Sequence, residues 1–134
     1  MRCVSWLRHQ ARRLREDDGD ASLEVLICFP AALMMLLILA EGANIYFAKT
    51  AATTAAREAV AGARGYGSSP GEGTARADAV FDRIGDSLIA PRVSVRSGAD
   101  RVEYTVTGRA PSVLGLKITV TEHAAGPVER WSNP

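Results

Sequence analysis

The sequence predicts an α+β chain: a long N-terminal membrane-spanning helix followed by a small external domain of one helix and a three-stranded antiparallel sheet. Three observations carry this. Residues 25–40 hold sixteen consecutive uncharged side chains, residues 74–89 repeat apolar side chains at helical spacing, and residues 92–121 alternate apolar and polar in three short runs. The implied layout is a basic leader at 1–19, a spanning and stalk helix at 20–64, a flexible loop at 65–73 and the external domain at 74–134.

The overall composition sets limits before any element is considered. The chain has 134 residues, 47% of them hydrophobic and 23% charged, which suits one small folded domain rather than a disordered polar chain. Lys plus Arg number 16 and Asp plus Glu 15, a net charge of +1. That balance lacks the basic excess that nucleic-acid binding requires. Two cysteines and two histidines argue against a Cys/His zinc module.

The uncharged run alone gives about 24 Å of helix, short of a hydrocarbon core of about 30 Å. Ala21 to Leu23 extend it upstream, and residues 42–48 extend it downstream with Asn44 as the only polar side chain. Ile45, Tyr46 and Phe47 then fall at interface depth. A single span over about residues 21–47 fits. Arg2, Arg8, Arg12, Arg13 and Arg15 precede it, whereas Lys49, Arg57 and Arg64 are sparser beyond it. The excess of basic residues upstream predicts the N-terminus inside and the C-terminus outside. A cleaved secretory signal is the rival reading, with small residues near Ala40 and Ala43 as its cleavage site and a released species starting near Asn44. The apolar run is long for it, and the leader ends in the acidic patch Glu16-Asp17-Asp18-Gly19-Asp20.

Glu24 stands at the start of the apolar helix, where an ionised carboxylate is costly. It is either an interfacial carboxylate that needs no partner or one that awaits a cation during assembly. Cleavage after Gly19 would expose a new chain start at Asp20 and make Glu24 its fifth residue. A free α-ammonium and a Glu about one helical turn in suit pairing between staggered neighbours in a helical bundle.

Residues 13–64 carry this pattern together: Arg13-Leu14-Arg15, the acidic patch, Gly19-Asp20-Ala21-Ser22-Leu23-Glu24, Pro30 in the Leu/Met-rich run, Glu41-Gly42, and Ala55-Ala56-Arg57-Glu58. The stretch resembles type IV prepilins and, more closely, the TadE-like minor pilins (pseudopilins) of the tight-adherence, or Flp, pilus system. The resemblance implies processing by a prepilin peptidase after Gly19, with Asp20 as the new N-terminus and Glu24 as the assembly carboxylate. It implies other pilin-like subunits, the Tad assembly machinery and the lipid bilayer as partners. It also implies residence in the bacterial cytoplasmic membrane or association with a pilus. Position 20 is Asp where type IV pilins usually begin with a Phe. The alternative is a single-pass membrane protein whose external domain binds other proteins and does not polymerise.

Pro30 removes the helical bond to the Leu26 carbonyl, so it marks either a tolerated kink or a flexible point for packing in a helical array. Beyond Glu41 no Pro interrupts the chain before residue 70, and alanine-rich sequence continues the helix to about Arg64. Ala48, Ala52, Ala56, Ala59 and Ala63 recur at spacings of four and three, a narrow seam that permits close helix approach. The seam serves either a helical assembly or this chain's own sheet.

The run Gly65-Tyr66-Gly67-Ser68-Ser69-Pro70-Gly71-Glu72-Gly73 reads as a break. The second helix is expected over 74–89, with Ala77, Val80, Phe81, Ile84 and Leu88 on one stripe and Pro91 ending it. The strands follow: Val93 and Val95 share one face, Val102, Tyr104 and Val106 another, and Leu114, Leu116, Ile118 and Val120 a third. Ser97 to Asp100 form the turn between the first two. The tail from Ala124 is weakly patterned, and Trp131 in it either packs on the sheet edge, the commoner outcome for such a ring, or presents itself to another subunit.

Nothing in this inventory points to catalysis, a cofactor or a metal. His9 lies in the leader, His123 is solitary, and Cys3 and Cys28 fall in the leader and the span. Asp78, Asp82 and Asp86 at i, i+4 and i+8 read as a solvated helix face, because a calcium loop needs clustered oxygens around a turn glycine. The expectation is a non-enzymatic protein.

Overall fold

The computed structural model describes residues 3–129, with side chains from residue 22 onward. Trp131 lies outside the described residues, as does the side chain of Asp20. The elements are α1 (Cys3–Ala63), α2 (Pro70–Ile84), a 3₁₀ turn (Gly85–Ser87), β1 (Ile89–Ser97), β2 (Arg101–Arg109) and β3 (Thr119–Pro127). The fold class is the α+β arrangement expected from the sequence. Residues 1–39 and 40–134 form separate compact units.

In the first unit, α1 is already helical from Cys3, upstream of the expected start at 20. Leu, Gln, Arg and Glu fill this stretch and are good helix formers, while Gly19 is the only weak one. The helix also continues through Pro30. Leu26, Ile27, Phe29, Met35 and Leu36 on this stretch are all exposed.

The second unit is built on the rest of α1. Ala48, Ala51, Ala52, Ala55, Ala56, Ala59, Val60 and Ala63 are buried in one core cluster with Ala77 and Val80 of α2 and Val102, Tyr104, Val106 and Val120 of the sheet. The alanine seam is therefore covered by this chain's own domain. The sheet order is β1-β2-β3, antiparallel throughout. In β2 every second residue from Val102 to Gly108 is buried, as its alternation predicts. Register pairs Val95 and Ala124 on either side of Tyr104, and Val93 and Glu122 on either side of Val106.

Two glycines set the closest approaches. A Cβ at Gly73 would lie 2.5 Å from the Ala59 carbonyl oxygen and 2.6 Å from Tyr104 Cζ. A Cβ at Gly126 would lie 2.8 Å from Val60 Cγ1. Helix, helix and strand meet here at distances that only small residues allow.

Four boundaries differ from expectation, each for a local reason. Helix α2 starts at Pro70 rather than about 74, because Pro suits the first helical position, where its missing N–H is not needed. The break at 65–73 thus shortens to the turn before Pro70, closed by the Ser68 N–H donating to the Gly65 carbonyl at 3.0 Å. The helix ends not at Pro91 but at Gly85, whose φ of +55° suits glycine and whose N–H donates to the Phe81 carbonyl. Leu88 follows the helix but is buried against Gly108. Pro91 lies inside β1, at the irregularity in register between Ile89 and Arg92, where a ladder donor is dispensable.

The largest correction concerns β3. Leu114 and Leu116 are in the connection between β2 and β3, and the strand runs from Thr119 to Pro127. Pairing of Arg109 with Thr119 fixes this register and leaves residues 110–118 as the loop, pinned by the Ala110 N–H donating to the Ile118 carbonyl at 2.9 Å. Ala124 and Gly126 are poor strand formers by propensity, yet Ala124 packs against the core and at Gly126 a side chain would collide with Val60 and Arg64. The last described residues return to the helix, with the Glu129 N–H donating to the Arg64 carbonyl at 3.1 Å.

Gly73 gives a direct test of the close packing. In a helix, Gly→Ala normally stabilises by about 0.5–1 kcal/mol. At Gly73 the new methyl meets backbone at Ala59, so overpacking of about 1–3 kcal/mol prevails. Thermal unfolding should show Gly73→Ala destabilised, while Gly71→Ala, whose Cβ has only ordinary contact 3.6 Å from Ser69 Oγ, is neutral or stabilised.

Candidate functional site

The functional residues expected from sequence divide between the two units. Gly19 and Asp20 lie on the helical backbone of α1. Glu24 and Pro30 are exposed on the same helix, and so is Cys28, a free thiol. Ala48, Ala52, Ala56 and Ala59 are each 0% exposed in the core of the second unit. Nothing in the structure brings Glu24 together with a cation among the described residues.

Glu41 is the residue that sequence reading passed over. It had served to close the uncharged run and, with Gly42, as part of the wider pattern, but was given no role; at 6% exposure it is the sole buried charged side chain among the described residues. Its Oε2 accepts the Val113 N–H at 3.0 Å and the Leu114 N–H at 3.4 Å. The Ser112 hydroxyl lies against the same carboxylate, while Oε1 has no partner. A carboxylate held by backbone N–H groups offsets its desolvation in the way a lone buried charge does not. The available signal was isolation: sixteen uncharged residues precede Glu41 and seven follow it. A charge so placed demands a partner, but the partner's place in the loop 72 residues away is not encoded locally.

The loop that binds Glu41 has a definite shape. The Leu116 N–H donates to Ser112 Oγ at 2.7 Å, and Pro111 has no N–H to satisfy. Its apolar side chains point outward, with Val113 57%, Leu114 44% and Leu116 50% exposed. Beside them an open recess of about 210 Å³ is lined by Arg109, Ser112 and Lys117 among others.

A second polar contact locks the small domain. Tyr104 is fully buried and donates its hydroxyl to the Pro70 carbonyl at 2.5 Å, tying β2 to the first turn of α2. Burial pushes its phenol above the usual tyrosine range, opposed in part by the Thr74 hydroxyl.

The described residues contain no cluster of three or more His, Cys, Asp or Glu side chains that could hold a metal. Asp78, Asp82 and Asp86 are all exposed.

One helix carries an exposed apolar stretch long enough to cross a membrane, and the same helix continues into the core of a small α+β domain. Among the described residues it is the one helix long and apolar enough for such a span, and it lies near the N-terminus. Residues 19–61 match the family described as TadE-like protein, so this segment of the chain is similar to TadE-like proteins. No curated protein and no solved structure matches the chain.

Two outcomes follow from these contacts. Glu41→Ala leaves two loop N–H groups without their acceptor, a loss of about 1–3 kcal/mol that speeds amide exchange at Val113 and Leu114 by about 10- to 100-fold. Glu41→Gln keeps an acceptor and should lose less. For Tyr104, the folded state favours the neutral phenol, so its contribution is complete below the ordinary tyrosine value of about 10 and is lost as pH rises through the higher folded value. Unfolding followed across that alkaline range should show this loss in the wild-type chain and a smaller one in Tyr104→Phe.

Proposed function

We propose that this chain is a prepilin-like subunit that works in the assembly of Tad pili through its N-terminal helix. Residues 21–47 cross the cytoplasmic membrane once, with the basic leader inside and the α+β domain outside. A prepilin peptidase cuts after Gly19, and the new α-ammonium at Asp20 pairs with Glu24 of a neighbouring subunit as helices pack together. Residues 20–64 then act as the anchor and stalk, and residues 74–134 as most of the external domain.

The observation that carries this reading is the TadE-like match over residues 19–61, which begins at the glycine where cleavage is expected and runs to the end of the alanine-rich helix. Two features support it. The helix is continuous through Gly19, Glu24 and Pro30, so the sequence around the cut forms one element with the span. Glu24 is exposed, open to a partner from another chain. Pro30 supplies the flexible point at which the span adapts to a helical array.

The covered alanine seam refines the proposal. Ala48, Ala52, Ala56 and Ala59 pack against the chain's own domain, so helix-to-helix assembly rests on the apolar residues before Glu41. No enzymatic activity is assigned to the chain. Its work is to be processed, anchored and incorporated.

The processing step is checked by intact mass of the membrane-bound protein in a strain with an active prepilin peptidase. The expected species begins at Asp20, and Gly19→Ala leaves the chain at full length. Recovery of only full-length wild-type chain would favour the single-pass binding protein that does not polymerise. For assembly, Glu24→Ala should insert normally but be recovered with other pilin subunits at a lower level than the wild type.

A further inference from the structure

The loop at residues 110–118 presents three large apolar side chains to solvent, and the rest of the domain provides no cover for them. We propose that this loop is a second membrane contact. It docks on the outer surface of the same bilayer that α1 crosses, with Val113, Leu114 and Leu116 at the headgroup boundary and Arg109 and Lys117 on anionic phospholipid headgroups. This rests on the spanning reading of α1 given above.

Position supplies the first argument. The loop is bonded to Glu41, the residue that directly follows the uncharged run 25–40, so it is fixed to the helix where the apolar stretch ends. Along α1, Glu41 lies six residues before Phe47, about 9 Å. Tyr46 and Phe47 are exposed, with their rings in edge contact at 6.0 Å, and such aromatics mark a membrane–water boundary. The loop is thereby held on the lipid side of an aromatic belt, within the 5–10 Å depth typical of interfacial segments.

Backbone satisfaction supplies the second. Irregular chain is tolerated near lipid only where its polar groups are bonded internally. Here the N–H groups of Ala110, Val113, Leu114 and Leu116 are all taken by the Ile118 carbonyl, the Glu41 carboxylate or Ser112 Oγ. Proline at 111 has none to satisfy. Glu41, costly near lipid as a bare carboxylate, has its Oε2 taken by two of these bonds.

Charge supplies the third. Arg109 and Lys117 are exposed and line the recess beside the loop together with the Ser112 hydroxyl. Their long stems can lie along the apolar side chains while the charged heads meet phosphate. The occupant is thus an anionic lipid surface rather than a second copy of this apolar loop, which would gain nothing from the two cations.

The test uses the full chain with Cys3→Ser and Cys28→Ser, reconstituted in phosphatidylcholine vesicles with or without phosphatidylglycerol. Single cysteines at Leu114→Cys, Met35→Cys and Asp82→Cys carry an environment-sensitive fluorophore, and quenching by brominated lipid is compared with quenching by aqueous iodide. Strong lipid quenching at 35 and 114 but not at 82 is the expected result. Lipid quenching at 35 with iodide quenching at 114 overturns the loop contact and leaves the span standing. Iodide quenching at 35 as well overturns the span and the loop contact with it. A label at 114 hidden from both quenchers overturns the proposal in favour of contact between copies. Adding Lys117→Ala should shift the docked population at 114 by about fivefold in phosphatidylglycerol vesicles and leave it unchanged in neutral ones. Equal behaviour in both lipids would overturn the headgroup role.

Discussion

The close approach of α1 to its own sheet is the constraint on which the rest of the structure depends. Tyr104 lies at the centre of β2 and is fully buried, and it reaches α2 where Gly73 leaves no room for a side chain. The alanines from Ala48 to Ala63 keep the helix surface low, Gly73 lets α2 pass over the Tyr104 hydroxyl, and Gly126 lets β3 run beside Val60. A larger side chain at these points would push an element away and forfeit contacts across the whole core. Alanine also has the highest helix propensity, so the residues that allow the approach also stiffen the helix that makes it.

The same helix changes its environment along its length. Before Glu41 its large apolar side chains are exposed, whereas after Glu41 its small ones are buried. Volume therefore separates the two roles: leucine and methionine suit lipid, where no packed partner is required, and alanine suits a sheet that must come close. Glu41 stands at the changeover and joins it to the domain through Val113 and Leu114. Its isolation in the sequence makes sense in this light, because one carboxylate answers two N–H groups of the loop that would otherwise lack an acceptor.

Much of the fold was legible because periodicity is a local property. The alternation Val102, Tyr104, Val106 gave β2 its buried face, and Ala77 and Val80 gave α2 its inner side. The misplaced features all turned on distant partners or on fine backbone chemistry. Leu114 and Leu116 alternate as a strand would, but alternation says nothing about pairing, and β2 takes up Thr119 to Pro127 instead. The tail from Ala124 read as weakly patterned because the helix that requires a small residue at Gly126 is some sixty residues earlier in the chain. Pro91 and Pro70 exchanged roles: the proline expected to stop a helix sits in a strand, and the one assigned to a loop begins a helix. Of the candidate site, Gly19, Glu24 and Pro30 were legible as a motif, whereas Glu41 became visible only once its loop was in place.

The central claim is that one continuous helix is shielded by two different means, lipid along its first half and its own sheet along its second. Hydrogen exchange of the full chain in lipid nanodiscs measures both at once. The account predicts slow exchange from residue 25 through residue 63 with no fast stretch at Glu41, and selective loss of protection over residues 48–63 when Tyr104 is replaced by Ala. Rapid exchange across residues 25–40 in lipid, or equal loss along the entire helix in that variant, would contradict it.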